Sequence, residues 1–247
     1  MAQQGVWLAP SGALQVAHRS EQRRLYLAFK RAADVLVAGA LLVLLSPLLL
    51  AIAILIVLDT PGPAIFKQER VSLRRHRDDH RTTWKVGTFT FHKFRTMHKD
   101  ADSRIHRAFA QAFIRNDSGG MATLQGGESQ VCKLVNDPRV TGFGKWLRKS
   151  SLDELPQLWN VLKGDMSLVG PRPPLPYELD SYEPWHYQRL EATPGMTGLW
   201  QVTARSAASF DEMVALDLQY IERQSFWLDL KILLETPFAV FRGKGAV

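Results

Sequence analysis

The chain has 247 residues, of which 46% are hydrophobic, enough for one domain or two small domains with a buried core. Its 31 lysines and arginines outnumber 24 acidic residues, and the resulting net charge of +7 points to anionic partners such as phosphorylated substrates, lipid head groups or nucleic acid. Cys132 is the only cysteine, which excludes an intramolecular disulfide and a zinc site with several cysteines.

The chain is predicted to begin with a disordered leader over residues 1–19. Ser20 and the following EQRRLYLAFKRA predict a helix with an N-cap serine that runs directly into an apolar segment. Residues 35–58 contain no charged side chain, and the segment exceeds the roughly 20 residues that cross a bilayer as a helix. Asp34, close to Arg31 at the start of this segment, is expected to form a surface ion pair.

Pro47 lies in the middle of the apolar segment and predicts a bend or break there. It has no N–H, and its ring clashes with the carbonyl of Val43, which the hydroxyl of Ser46 can satisfy instead. Basic clusters lie on both sides of the segment, and the positive-inside rule favours keeping both in the cytoplasm. We therefore predict a re-entrant membrane helix over residues 20–60, with a single kinked span as the alternative.

The remaining residues, 61–247, are predicted to form a cytoplasmic, membrane-associated catalytic domain. Its expected fold class is α+β, a helix-rich compact domain with interfacial amphipathic helices. Two short strands are predicted at 64–71 and 88–92, with a charged loop at 72–87 between them. A polar helix is expected after residue 99, followed by a flexible loop at 119–129.

Three helix starts are predicted downstream. Thr141 can cap a short helix through GFGKWLRK, and the capping box Ser209-x-x-Glu212 opens a helix that ends near Arg223. A last helix is expected to begin at Ser225 and to break at Thr236-Pro237.

Asp153 and Glu154 are adjacent carboxylates at a predicted helix start. Ser151-x-x-Glu154 fits a capping box. One interpretation is therefore that Glu154 closes the cap and that Asp153 interacts favourably with the positive end of the helix dipole. The alternative is a working site, because a helix N-terminus also suits phosphate and its metal ion. Pro156 predicts an irregular backbone around the acid pair.

Three cations accompany the acid pair. Arg172 is held between prolines on a stiff loop and presents a planar fork suited to phosphate oxygens; a surface arginine in an extended linker is the alternative. Lys93 follows a short apolar alternation, and Arg148 lies shortly before Asp153. Together with the apolar segment, these groups indicate a phosphorylated substrate met at the bilayer surface, with Mg²⁺ as the natural mediator.

Several blocks of this sequence resemble the bacterial sugar transferase family, the monotopic phosphoglycosyl transferases that start exopolysaccharide and related glycan assembly. The blocks are KRAADVL with Ser46-Pro47, GPAIFKQERV, HKFRTM, LRKSSLDELPQLWNVLKGDMSLVGPRP, and TPGMTGLWQVTAR with FWLDLKIL. The resemblance covers about residues 30–241. Ser72 stands where the family usually has a glycine, and residues 73–86 look like a basic insertion.

The resemblance implies a reaction and its residues. Asp153, bound to Mg²⁺, would attack the sugar-bearing phosphate of a UDP-sugar, release UMP and hold the phosphosugar until undecaprenyl phosphate takes it. Glu154 would transfer a proton or organise the site. The implied phosphate contacts are Lys93, Arg148, Arg172 and, more weakly, Asp229. Ser46-Pro47 would break a re-entrant helix.

The resemblance also sets the expected context. The compact form of the family suggests transfer of galactose or glucose, by analogy alone. Its place would be the bacterial inner membrane, with the catalytic domain on the cytoplasmic face, in contact with membrane lipids and without nucleic acid; a homodimer stays open. The competing hypothesis is a membrane-anchored, non-enzymatic binding or scaffold protein whose basic surface holds anionic lipid or nucleic acid.

Overall fold

The computed structural model describes residues 21–78, 81–99, 102, 104–125, 137–204 and 208–241, and these residues form a helix-rich α+β domain with two small sheets. The helix-rich α+β class is therefore confirmed, whereas the interfacial position of its helices stays a prediction. The leader predicted at residues 1–19 lies outside the described residues.

Helices α1 (Glu21–Leu44) and α2 (Ser46–Asp59) form one apolar arm that bends by 62° at the predicted break. Pro47 lies in the first turn of α2, where a missing N–H costs little. The hydroxyl of Ser46 donates to the carbonyl of Val43 at 2.8 Å, as the sequence predicts. Among the described residues, no single helix has the length and apolar character to cross a membrane. Only this bent pair has both properties when its two helices are taken together. The re-entrant path through lipid stays a prediction.

Strands β1 (Ile65–Asp78) and β2 (Arg81–Phe94) form an antiparallel hairpin whose register runs from Ile65 opposite Phe94 to Asp78 opposite Arg81. The charged loop predicted at 72–87 is therefore wrong, because these residues form the outer part of the hairpin. Buried side chains at its base, such as Phe89 and Phe91, fix the register, and backbone hydrogen bonds continue the ladder outward.

Most of the remaining elements are helices. The helices are α3 (Arg104–Ile114), α4 (Ser118–Gln125), α5 (Gly142–Ser150), α6 (Gln157–Lys163), α7 (Leu199–Thr203), α8 (Phe210–Arg223) and α9 (Phe226–Phe241). Strands β3 (Ser167–Val169) and β4 (Gly195–Thr197) pair in parallel. Short 3₁₀ turns occupy Leu152–Glu154, Pro176–Ser181 and Pro184–Glu191.

Two of the predicted helix caps are present. The hydroxyl of Thr141 accepts from the backbone N–H of Gly144 at 2.9 Å, and Ser209 and Glu212 form the capping box of α8. The flexible loop predicted at 119–129 is wrong over its first part, because α4 covers it. The carboxylate of Asp117 accepts from the N–H of Gly120 and offsets the weak helix preference of the glycines.

Pro237 lies inside α9, so the predicted break at Thr236-Pro237 is also wrong. A proline removes one helical hydrogen bond, but packing on both sides of it can keep the helix continuous. Here the hydroxyl of Thr236 donates to the carbonyl of Ile232 at 2.7 Å and lies 2.9 Å from the hydroxyl of Thr197. Ile232 is completely buried.

The main hydrophobic core lies between the base of the hairpin, α1, α6, β3, α8 and α9. Its buried members are Ala38, Phe89, Phe91, Leu158, Val161, Met166, Leu168, Val169, Ala192, Tyr220, Ile221 and Ile232. A second cluster joins α2 to β2 and α5 through Ile52, Ile56, Phe94 and Leu147. Helix α2 is thus packed against the side of the domain that carries α5, whereas α1 belongs to the main core.

Asp34 is buried and does not form the surface ion pair predicted with Arg31. Its carboxylate accepts from the N–H of Leu168 at 3.1 Å, while Arg31 donates to the carbonyls of Val161 and Leu162 at the end of α6. Both charged groups face backbone dipoles of other elements, which compensates the cost of burying them.

Candidate active site

Asp153 and Glu154 lie in the 3₁₀ turn Leu152–Glu154 between α5 and α6. Ser151 ends α5 in the left-handed conformation (φ 56°), and within the described residues its side chain makes no cap hydrogen bond. The predicted capping box is therefore wrong, because Ser151 is turned out of N-cap geometry and Glu154 faces Arg172. The irregular backbone predicted around the acid pair is confirmed.

The side chain of Asp153 points into a buried, positively charged environment, and the residue is only 8% exposed. Burial, followed by repulsion from Glu154, raises the pKa of Asp153 from 3.8 to about 6, while the charges of Lys93, Arg148 and Arg172 lower it. At pH 7 the carboxylate form of Asp153 therefore predominates. The arrangement therefore keeps a carboxylate, shielded from water, beside three cations.

Lys93, on β2, interacts electrostatically with this carboxylate. It is half-buried, and its ammonium lies 5.4 Å from the ring centre of Phe66, its partner across the hairpin. Burial and the charges of Arg70, Arg148 and Arg172 lower the pKa of Lys93 to about 8, against the attraction of Asp153. The cation is therefore charged at neutral pH but close to losing its proton.

Arg148 comes from the last turn of α5, which approaches the chain after β2 unusually closely. A Cβ on Gly144 would lie 2.2 Å from the carbonyl oxygen of Thr96, so only glycine allows this approach. The Nε of Arg148 donates to the hydroxyl of Thr96 at 2.9 Å. Burial lowers the pKa of Arg148, and Asp153 opposes that change. The helix is thus seated so that its terminal arginine faces Asp153.

The loop that carries Arg172 is fastened on both sides. The Nη1 of Arg70 donates to the carbonyl of Pro173 at 2.9 Å, the N–H of Val71 donates to Pro174 and the N–H of Gly195 donates to Pro171. Arg172 forms an ion pair with Glu154 at 3.1 Å, and the charge of Glu154 raises the pKa of Arg172. The extended-linker alternative therefore does not describe this arginine, which is half-buried against the acid pair.

Asp229, the weaker phosphate candidate, has other partners. It is buried and accepts hydrogen bonds at 2.7 Å from Lys30, Tyr26 and Tyr220. These contacts join α9 to α1 and α8. The structure therefore brings Lys93, Arg148 and Arg172 together with the acid pair and places Asp229 in a helix-joining network.

Sequence reasoning missed two residues that build the site. Asn160, completely buried on α6, donates to the carbonyl of Thr90 and accepts from the N–H of His92, which fixes α6 on β2. Arg70, 8% exposed, lies against the ring of Phe91 beside the Arg172 loop. Burial and the charge of Arg172 lower the pKa of Arg70 to about 10. The one sequence signal of this supporting role is that Arg70 is a charged residue within a strand, next to the buried Val71.

The donor set fits a magnesium ion shared with a substrate. Across the part of the chain that the structure describes, no group of three or more metal-ligating side chains occurs. Asp153 and Glu154 supply two carboxylates, and Mg²⁺ in phosphate-transfer sites is commonly held by one or two carboxylates together with substrate phosphates.

Comparison with known proteins adds a family match that covers most of the chain. The family described as "Bacterial sugar transferase" matches residues 25–243. Among similar curated proteins, the undecaprenyl-phosphate galactose phosphotransferase of Salmonella typhimurium is 39% identical over 217 residues, which is 88% of this chain and 41% of that protein.

Two further relatives are more nearly matched in length. The exopolysaccharide production protein ExoY of Rhizobium meliloti is 37% identical over 88% of this chain and 87% of its own length. The UDP-glucose:undecaprenyl-phosphate glucose-1-phosphate transferase of Caulobacter vibrioides is 39% identical over 84% of this chain and 67% of its own. The chain spans less than half the length of several other relatives that it matches.

Proposed function

The chain belongs to the bacterial sugar transferase family, and from this membership we propose that it transfers a sugar-1-phosphate from a UDP-sugar to undecaprenyl phosphate. The products are UMP and an undecaprenyl diphosphate sugar, the first membrane-bound intermediate of an exopolysaccharide or related glycan. The names of the Salmonella and Caulobacter relatives support this reaction. They also support galactose or glucose as the sugar.

The observation that carries the proposal is the convergence of Lys93, Arg148 and Arg172 on the buried carboxylate of Asp153. These residues come from a strand, a helix end and a loop that are distant in sequence. A cluster of this kind has little use in a scaffold, because gathered cations destabilise the fold until an anion binds. It suits a diphosphate whose charge grows on the leaving oxygen during transfer.

We propose a covalent reaction in two steps. A carboxylate oxygen of Asp153 attacks the sugar-bearing phosphorus, the bond from that phosphorus to the bridging oxygen breaks, and UMP leaves with that oxygen. A phosphate oxygen of undecaprenyl phosphate then attacks the same phosphorus and releases the Asp153 carboxylate. Each step forms one P–O bond and breaks another, so the enzyme returns to its starting state.

Glu154 and the surrounding cations have supporting roles in this scheme. Glu154 holds Arg172 at 3.1 Å and so sets the direction of its guanidinium, and it can move a proton at the entering or leaving phosphate. Lys93 and Arg148 stabilise charge that develops on the reacting phosphate. Asp153, with Glu154 beside it, would hold Mg²⁺, which supplies further neutralisation of phosphate charge when bound.

The proposed site of action is the cytoplasmic face of the bacterial inner membrane, with the bent arm re-entrant in the lipid. Apolar side chains of the arm are exposed in the isolated chain, and they include Leu36, Val43, Leu44, Leu50 and Leu58. Exposed Trp227 and Phe238 on α9 add aromatic groups of the type that lie at a membrane interface. An exposed apolar surface of this extent supports a lipid environment.

The test is UMP release by the full chain in detergent or lipid particles, with Mg²⁺ and a panel of UDP-sugars. Without undecaprenyl phosphate, we expect at most one UMP per enzyme, and the protein mass should rise by one sugar phosphate; with the lipid, turnover should continue. Asp153→Asn should reduce both by several orders of magnitude. Asp59→Asn, an identical change at an exposed position, should have no effect.

The outcomes separate the competing hypotheses. Turnover by Asp153→Asn close to that of the wild type would reject the covalent mechanism and favour direct displacement. Absence of UMP with every donor, combined with tight and salt-sensitive binding of nucleic acid or anionic vesicles, would reject the transferase in favour of the scaffold hypothesis.

A further inference from the structure

The turn that joins the apolar arm to the hairpin, residues 60–63, is gathered around the side chain of Arg95. Arg95 directly follows β2 and is 7% exposed. All three nitrogens of its side chain donate to this turn or to the end of α2. The acceptors are the carbonyl of Pro63 at 2.8 Å from Nε, the hydroxyl of Thr60 at 2.9 Å and the carbonyl of Pro61 at 3.0 Å from Nη1, and the carbonyls of Thr60 at 2.7 Å, Gly62 at 3.3 Å and Ile56 at 3.4 Å from Nη2.

The charge and the planar shape of the guanidinium suit this position. The last carbonyls of a helix carry a partial negative charge, and a guanidinium offers more N–H donors in a rigid fork than the ammonium of a lysine does. Gly62 has a φ of 122°, which favours glycine, and a Cβ there would lie 3.6 Å from the guanidinium carbon of Arg95. The turn is therefore shaped to close around this arginine.

The next residue, Thr96, holds the helix that carries Arg148. Its hydroxyl accepts from the Nε of Arg148 at 2.9 Å, and its carbonyl accepts from the N–H of Thr141 at 3.0 Å. This is the same carbonyl that α5 approaches closely at Gly144. Two adjacent residues thus connect the end of the apolar arm to a cation of the catalytic cluster.

Helix α2 has one apolar side packed on the domain and another that is exposed. Ile52 and Ile56 are each 2% exposed and pack with Phe94 and Leu147, whereas Leu58 in the last turn is 77% exposed. Under the proposed function the exposed side lies in lipid. The attachment of α2 to the domain then sets the depth of the catalytic cluster relative to the bilayer surface.

We propose that Arg95 is a positioning residue that holds the catalytic cluster at the depth where the phosphate of the lipid acceptor reaches Asp153. This inference rests on the proposed function, in which the acceptor is a polyprenyl phosphate in the bilayer and the donor arrives from water. Arg95 acts through α2 and the turn at 60–63. Thr96 is held by Thr141 and by α5, through contacts that do not involve the side chain of Arg95. Loss of the Arg95 hydrogen bonds therefore disturbs use of the acceptor and spares use of the donor.

The test measures kcat/KM separately for undecaprenyl phosphate and for the UDP-sugar, with the full chain in lipid particles. Arg95→Lys keeps the charge but loses the fork of donors. It should lower kcat/KM for undecaprenyl phosphate by about 10- to 100-fold, as expected for a displacement of about 1 Å, while kcat/KM for the UDP-sugar stays within about twofold. Gly62→Ala strains the same turn from the side of the arm and should give the same pattern. Arg115→Lys, the same change at an exposed position after α3, should alter neither value.

Thr96→Val is the reciprocal variant, because it removes the acceptor of Arg148 and leaves the turn at 60–63 in place. It should lower kcat/KM for the UDP-sugar by about tenfold, the usual effect of losing one hydrogen bond to a charged group. Retained kcat/KM for the UDP-sugar shows that Arg95→Lys and Gly62→Ala are folded. Equal losses toward both substrates in these two variants, or normal values toward both, would overturn the positioning role and leave the proposed function intact. A wild-type chain that turns over no UDP-sugar would overturn both.

Discussion

Replacing Glu154 with glutamine tests whether the charge of Glu154 sets the acidity of Asp153. Burial is the first cause of the rise in the Asp153 pKa to about 6, and repulsion from Glu154 is the second. Glutamine keeps the size of the side chain and an oxygen for Arg172, but it removes the negative charge. Burial and the neighbouring cations remain, so we expect the pKa of Asp153 to fall by about one pH unit.

The effect on activity follows from the form of Asp153 that reacts. Only the carboxylate attacks phosphorus, so kcat/KM for the UDP-sugar falls as the pH drops through the pKa of Asp153. The acid limb of Glu154→Gln should therefore lie about one pH unit below that of the wild type. The plateau value of kcat/KM also falls if Glu154 moves a proton. The pH at which the acid limb lies does not depend on the height of that plateau.

The assay is single-turnover UMP release at low UDP-sugar, measured across pH without undecaprenyl phosphate. The lipid is left out because a phosphate monoester itself titrates near about pH 6 and would hide the limb. Glu235→Gln, the same change at a half-buried position of α9, should keep the wild-type profile. An acid limb of Glu154→Gln that stays at the wild-type position, or moves upward, would refute the assigned repulsion between the two carboxylates.

Three further predictions concern other parts of the molecule. Lys93→Arg should remove the alkaline limb of kcat/KM expected near pH 8, because lysine loses its proton there and arginine does not. Asp229→Asn should lower the free energy of unfolding in detergent by about 3 kcal/mol, since it leaves the buried ammonium of Lys30 without its anion. Gly144→Ala should reduce stability by about 2 kcal/mol and kcat/KM by about tenfold, because its methyl group displaces α5. Gly142→Ala meets open space and is the control.

Each of these predictions has a result that would contradict it. An alkaline limb that persists unchanged in Lys93→Arg would assign that limb to another group. A thermal or chemical unfolding midpoint of Asp229→Asn equal to that of the wild type would show that the network around Lys30 contributes little. Equal stability and activity of Gly144→Ala and Gly142→Ala would show that α5 does not need its close approach to Thr96.

The break in the apolar arm and the identity of the acid pair are readable from the sequence because each depends on neighbouring residues. Pro47 lacks an N–H wherever it stands in a helix, and the Ser46 hydroxyl can always reach a carbonyl of the preceding turn. The motif around Asp153 and Glu154 is contiguous and therefore identifies the family directly. The caps at Thr141 and Ser209 are local in the same way.

Errors arose where distant contacts override a local preference. Pro237 predicts a helix end, yet α9 continues because packing and the hydroxyl of Thr236 hold the turns around it. The capping box at Ser151 and Glu154 matches the motif, but α5 requires Ser151 as its left-handed terminal residue and Arg172 attracts Glu154. The charged segment 72–87 forms strands because the base of the hairpin fixes their register.

The sequence by itself determined the family, the carboxylate pair and a supply of basic residues, since covalent geometry and short motifs encode these. Only the tertiary structure decided which basic residues lie around Asp153 and that Asp229 joins helices instead. The groups around Asp153 are brought together by packing between α5, the hairpin and the Arg172 loop. The free energy of such contacts depends on burial and on distances between remote residues, and no local pattern in the chain records either quantity.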